Sequence, residues 1–237
     1  MKTVVPIDPA TPMKRPNMTR EYRQHVFHAP AGACDLLLIR HGESEPARPG
    51  MSFPMVDGHG DPALHDNGHI QARQVGERLK SAPLAALYVT TLRRTHQTAA
   101  PLAAQLRLTP VVEADLREIC LGDWDGGLYR IKALEGDPAF RRASELQEWG
   151  EIPGAETTAQ LHARVAAGLW RIAERHPDQR VAAFVHGGVI GAAMAIATGA
   201  QPFAFNGAAN GSISRIVLSD GHMIARGFND CSHLDVA

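Results

Sequence analysis

Cysteine is scarce in this chain and widely dispersed, as Cys34, Cys120 and Cys231 only. Three thiols so spaced build neither a disulfide framework nor a zinc ribbon, and they fit a reducing compartment. No apolar run approaches the ~18 residues of a membrane span, and the first residues lack the apolar centre of a signal peptide. The expected location is therefore the cytoplasm, with no membrane partner. Neither sign of charge is in excess: Lys and Arg number 24 against 25 Asp and Glu. That balance gives no reason to expect nucleic acid or an anionic surface as a partner, so any strong positive potential has to be local. Internal repeats and low-complexity blocks are also missing.

What is present alternates between strand and helix signals. Residues 1–34 carry Pro6, Pro9, Pro12, Pro16 and Pro30 with little periodicity, and read as an irregular N-terminal extension before a folded domain over 35–237. Apolar runs at Leu36–Ile39, Leu84–Val89 and Val181–Val185 fit buried strands, while Ala72, Val75, Gly76 and Leu79, then Leu161, Val165, Leu169 and Ile172, have helical spacing. Ile213–Leu218 and Met223–Phe228, joined through Asp220-Gly221, read as a terminal hairpin. The expected architecture is α/β, a three-layer α/β/α sandwich with a mainly parallel central sheet. Residues 45–66 form a Pro- and Gly-rich loop long enough to be a substrate lip.

Chemistry gathers where the strands end. In an open α/β sheet the ligand crevice lies beyond the carboxyl ends of the strands, and the first strand runs into Arg40-His41-Gly42-Glu43-Ser44. Arg offers a planar fork of donors suited to phosphate, neutral His attacks phosphorus, and Gly lets backbone approach a ligand. A second cation, Arg94, follows the second strand, and His186-Gly187-Gly188 follows the third. A phosphomonoester dianion needs several converging cations, because one pair of unit charges at ~4 Å is worth only about 4 kcal/mol at an effective dielectric near 20. Arg40, Arg94 and the histidines would supply them, with backbone N–H groups at the helix opening by Gly187. His41 would attack, and Glu118, in a turn-rich acidic segment, would give the leaving oxygen its proton and later take one from water.

The same residues resemble the histidine phosphatase superfamily, the phosphoglycerate mutase-like fold. The resemblance rests on Arg-His-Gly-Glu-Ser at 40–44, Leu-x-Arg-x-x-Gln-Thr-Ala at 92–99, Leu-Arg-Glu-x-x-x-Gly-x-Trp-Asp-Gly at 116–126 and His-Gly-Gly at 186–188. Weaker echoes are Asp61-Pro62-Ala63-Leu64, Pro153-Gly154-Ala155-Glu156-Thr157, and Asn229-Asp230 with His233-Leu234. It implies a histidine phosphatase catalytic domain over residues 35–237. It also implies a phosphohistidine at His41, phosphate binding by Arg40, Arg94 and His186, and proton transfer by Glu118, without metal or cofactor. Arg94, two residues after Leu92, matches the family's cation, leaving Arg93 as a solvated helix-start residue. Trp124 reads as a packing anchor beneath the acid loop. The chain departs from many relatives at Ala47, where they carry Asn, and at Val185, where they carry Ser or Thr.

The implied activity is hydrolysis of a small phosphorylated metabolite, since the interval between Glu118 and His186 is short and the lip lacks the Asn/Trp-rich character of the mutases. A phosphoglycerate mutase and a noncatalytic phospholigand-binding protein are the alternatives, and a homodimer is allowed. Two further readings carry less weight. His59, His65 and His69 with Asp61 and Asp66 suggest a metal hydrolase, but Gly68 and the loop before it argue against a continuous helix from His65. His-Gly-Gly-x-x-Gly approaches a dinucleotide fingerprint, but His186 occupies the first Gly position. Met51, Phe53 and Met55 make the lip partly apolar, and Arg130, Lys132, Arg141 and Arg142 are candidates for a cationic rim.

Overall fold

A computed structural model describes residues 26–234 together with Gln24. Of the expected N-terminal extension, residues 1–23 and 25 lie outside the described residues, and 26–33 contain no helix or strand. The elements run β1 (Cys34–Arg40), β2 (Met55–Val56), β3 (His59–Gly60), α1 (Asp66–Leu79), β4 (Leu84–Val89), α2 (Arg93–Leu106), β5 (Val111–Val112), α3 (Leu128–Glu135), α4 (Pro138–Leu146), α5 (Thr158–Arg175), β6 (Arg180–Val185), α6 (Gly187–Thr198), β7 (Ile213–Ser219) and β8 (His222–Asp230). Among the described residues no helix is long and apolar enough to cross a membrane.

Six strands form one sheet in the order β5-β4-β6-β1-β7-β8. The first four are parallel, and β7 and β8 add as an antiparallel hairpin. Successive residues of a strand face opposite sides, and here both sides are buried. Leu36 and Leu38 of β1, with Val181, Ala183 and Val185 of β6, pack toward Leu161, Val165 and Leu169 of α5 and Val189 of α6. Leu37 and Ile39, with Ala182 and Phe184, pack toward Val75 and Leu79 of α1 and Leu102 of α2. The three layers follow from that alternation. Between α1 and α2 the approach is close, since a Cβ on Gly76 would lie 3.3 Å from Pro101 Cβ.

The 45–66 segment is not the unbroken loop that its composition suggests. It folds into the β2–β3 hairpin, which turns on Asp57 and Gly58 at φ 47° and 79°. The same left-handed pair, Asp220 and Gly221, turns β7 into β8 at φ 49° and 75°. Two-residue strands carry no readable period, which is why β2, β3 and β5 are invisible in sequence. Helix α1 also begins directly after His65, its N-cap, so the expected interruption between His65 and His69 is absent; His69 N donates to His65 O.

Strand register positions the chemistry. Arg40 lies level with Val185, and Tyr88 with Ala183, so β1 and β6 end together, β4 ends one residue earlier, and His41, His186 and Thr90 leave the sheet at the same edge. The loop after β1 is held against α1 by two glycines. A Cβ on Gly42 would lie 2.4 Å from Gly68 O, and one on Gly68 would lie 2.0 Å from Glu43 O. Neither partner is a flexible side chain that can step aside. Gly68 stands in a helix where alanine is intrinsically favoured by about 1 kcal/mol, yet Gly68→Ala is expected to lose about 1–3 kcal/mol through overpacking. Urea unfolding reads the sign directly.

Candidate active site

His41 follows β1 directly and is 4% exposed. Its Nδ1 lies 2.7 Å from Gly42 O, an acceptor only, so Nδ1 carries the proton and Nε2 the lone pair. Nε2 accepts a hydrogen bond from Arg94 Nε at 3.2 Å. Burial, then the charges of Arg94 and Arg40, drive the His41 pKa well below its ordinary range. A neutral imidazole with its lone pair in the cavity is the result. His186 stands beside it, ring centroids 5.2 Å apart. Its pKa is likewise driven down, by burial first and then by Arg94 and His41. Its Nε2 pairs with Thr90 Oγ1 at 3.0 Å, while its buried Nδ1 has no partner among the described residues.

Both sequence-predicted arginines reach this cluster. Arg40 Nη1 donates to Ala208 O, and its buried Nε has no partner among the described residues. Burial lowers the Arg40 pKa, and the nearby Glu118 charge opposes that shift. Arg94, pushed down by burial to about 10, is still cationic at neutral pH. Its Nη1 donates to Gly60 O at 2.9 Å and lies 4.0 Å from Asp61 Oδ1. Asp61, 3% exposed, also accepts from Arg93 Nε at 2.7 Å and Arg93 N at 2.8 Å. Arg93 is therefore not merely a solvated helix-start residue; it pairs with the buried carboxylate behind Arg94.

Glu118 lies across the cavity at the start of α6, where its Oε1 accepts from Gly188 N and from Ile119 N, each at 3.1 Å. The amide at this helix opening is thus turned toward the carboxyl group, a use the sequence reading assigned to phosphate. The acid loop is clamped from behind by Arg164, whose Nη2 donates to Glu118 O and whose guanidinium also pairs with Glu156. Glu156 in turn accepts from Cys120 N. Arg164 was not legible in sequence, because its ligands are mostly backbone carbonyls of a distant loop.

The remaining motif residues tie loops together. Thr98 Oγ1 accepts from Gly42 N, Gln97 Oε1 from Leu64 N, and Gln71 Oε1 from Glu43 N. Asn210, unread in the sequence, donates to His41 O at 2.9 Å. The loop that carries it is braced by Asn229, which accepts from Ala209 N, and by His233, whose Nε2 lies 3.0 Å from Gly211 O.

A cavity of about 300 Å³ joins Arg40, His41, Arg94, Glu118, Gly187 and Arg130. A second, of about 700 Å³, opens from Arg40 and His41 past Arg130 toward Ala47 and Leu134. Arg130 separates them, donating to Ser44 Oγ and Glu45 O and lying over the Phe53 ring at 5.3 Å. The rest of the expected cationic rim is elsewhere: Lys132 pairs with Asp137 and Arg142 with Glu151, and neither they nor Arg141 line either cavity. Trp124 is packed in the core and also reaches the cavity wall. Asp125 lines the cavity, but its two oxygens accept from Gly60 N and Leu121 N; Asp123 does not line it. His59 lines it too, whereas His65 and His69 do not, and among the described residues no His, Cys, Asp and Glu group is arranged to hold a metal.

The profile of the histidine phosphatase superfamily (branch 1) matches residues 36–231. The chain is 32% identical over 204 residues to a metal-independent phosphoserine phosphatase of Arabidopsis thaliana, covering 84% of this chain and 83% of that one. It is 29% identical over 205 residues to the probable phosphoglycerate mutase GpmB of Salmonella choleraesuis, covering 84% and 94%. The solved structure of a mycobacterial glucosyl-3-phosphoglycerate phosphatase superposes with a TM-score of 0.68 at 26% identity, covering 83% of this chain and 99% of that one. The matched span contains both buried histidines, both arginines at their side and the carboxyl group opposite: the chain belongs to the histidine phosphatase superfamily, branch 1, as a phosphatase or a mutase.

Proposed function

We propose that this protein is a phosphatase that hydrolyses a small phosphomonoester metabolite through a covalent phosphohistidine on His41. The observation that carries the reading is the state of His41: Nδ1 donates its proton to Gly42 O, and Nε2 stays unprotonated among guanidiniums, facing the cavity that Glu118 lines.

In the first step Nε2 forms a bond to phosphorus as the bond to the leaving oxygen breaks. The Glu118 carboxyl gives that oxygen a proton. Positive charge that develops on the imidazole is met by the Gly42 carbonyl at Nδ1–H. We assign the nonbridging oxygens to Arg40 and Arg94, with Gly187 at the cavity wall, and to His186, which is fully buried beside His41 and does not itself line the cavity. In the second step the Glu118 carboxylate takes a proton from water as the water oxygen bonds to phosphorus and the Nε2–phosphorus bond breaks, which releases phosphate and returns neutral His41. Charge neutralisation by side chains makes a metal unnecessary.

Transfer to water rather than back to the product is supported by the short interval between Glu118 and His186, in which only α3 and α4 precede the sheet-packing α5, and by Ala47 in the lip. The phosphatase names of relatives that span most of the chain support it as well. Rapid quench during turnover of a phosphometabolite panel is expected to trap an acid-labile, alkali-stable adduct that His41→Ala abolishes, with phosphate released in excess of any isomerised product. Rapid bisphosphoglycerate-primed isomerisation with negligible phosphate release would reverse the ranking.

Glu118→Gln is expected to lose about 10² to 10⁴ in rate on alkyl phosphates, and far less on an aryl phosphate whose phenolate leaves unaided. Phosphate affinity is expected to persist. An equal loss on both substrate types would assign Glu118 to shaping the cavity instead.

A further inference from the structure

We infer that the alcohol released from the phosphomonoester carries an uncharged ring, which lies against an aromatic wall beside Glu118. This rests on the proposed role of Glu118 as the acid. A leaving oxygen has to come within hydrogen-bond reach of the group that protonates it. Glu118 lines the smaller cavity and not the larger one, so the leaving group departs into the smaller cavity, and the walls of that chamber select it.

Those walls are Phe53, Ile119, Leu121, Trp124, Tyr129 and Trp149. The rings are locked before any ligand arrives. Tyr129 packs against Trp124 at 6.4 Å, against Trp149 at 6.1 Å and against Phe140 at 6.0 Å, while Trp149 packs on Phe203 at 4.6 Å. A preformed apolar wall costs little ordering when a flat ligand face meets it. A polyhydroxylic chain would gain little against those rings, and several of the polar groups beside them are already engaged. Asp125 is bound to two backbone amides, His59 Nδ1 to Asp57 O, and Arg130 to Ser44 and Glu45. Arg130 also lies over the Phe53 ring, which fixes the remaining side of the chamber. Nothing in the family motifs of the sequence dictates Phe53, Tyr129 or Trp149.

Nonhydrolysable phosphonates separate this inference from the reaction itself, because they read affinity without turnover. Calorimetry with benzylphosphonate, ethylphosphonate and 3-phosphonopropionate is expected to show benzylphosphonate binding at least tenfold more tightly than either acyclic probe. Phe53, at the lip and outside both sheet cores, is the position to vary. Phe53→Ala is expected to cut the benzyl-to-ethyl affinity ratio at least fivefold, with inorganic phosphate binding serving as the measure of an intact Arg40–Arg94 site. Equal affinities for the benzyl and ethyl probes, a preference for the acyclic carboxylate, or a Phe53→Ala loss shared equally by all three would overturn the ring assignment. Failure to release phosphate from any ester would instead overturn the phosphatase reading, and the affinity ranking would still decide this one.

Discussion

Burying two neutral imidazoles against two guanidiniums is the constraint on which the rest of this structure depends. His41 and His186 are almost wholly removed from water, and Arg40 and Arg94 are close enough to depress both of their pKa values. Cations so placed keep Nε2 of His41 unprotonated, and they are also the charges a phosphate dianion requires. The arrangement is costly without a ligand, since a buried guanidinium has lost its hydration. Compensation comes from fixed acceptors: Ala208 O for Arg40, and Gly60 O with the Asp61 carboxylate behind Arg94. Arg93 completes that support by occupying the far oxygen of Asp61.

Holding such a cluster requires loops as rigid as the strands that feed them. Each loop is tied by a side chain from a neighbouring element. Thr98 and Gln97 of α2 fasten the segments after β1 and β3, Gln71 of α1 fastens Glu43, and Arg164 of α5 fastens the acid loop. The hairpin end contributes through Asn229 and His233, which brace the loop that presents Asn210 to His41 O. Residues that look like surface polar positions in the sequence are therefore the guy-ropes of the site. Gly42 and Gly68 complete the assembly by letting two backbones touch where any side chain would separate them.

The layered core and the site are coupled by register more than by proximity in sequence. Because β1, β6 and β4 are parallel and end within one residue of one another, a one-residue slip of β6 would exchange its buried faces and carry His186 away from Thr90. Both faces are buried, by α5 and α6 on one side and α1 and α2 on the other, so it is side-chain size that opposes the slip: Ala182 and Phe184 fill one face, Val181, Ala183 and Val185 the other. The cap of α3 and α4 adds the aromatic side of the cavity, and with it a character that the catalytic cluster alone does not have.

By itself the sequence determined the long strands and helices, the terminal hairpin and the central constellation of His41, Arg40, Arg94, Glu118 and His186. Long elements repeat their apolar period many times, and Arg40, His41 and His186 stand at strand ends, where an open α/β sheet gathers its ligand site, while Arg94 and Glu118 are marked by their motifs. Tertiary structure decided what depends on contacts between distant segments. It folded the lip into β2 and β3, which are too short to show a period, and it let α1 start directly after His65. It turned Gly188 N toward Glu118, gave Arg93 a buried carboxylate partner, and removed Lys132, Arg141 and Arg142 from the rim while keeping Arg130 there. Asn210 and Arg164 became legible only once folded, because each acts on a backbone carbonyl, a group every residue possesses and no sequence pattern marks.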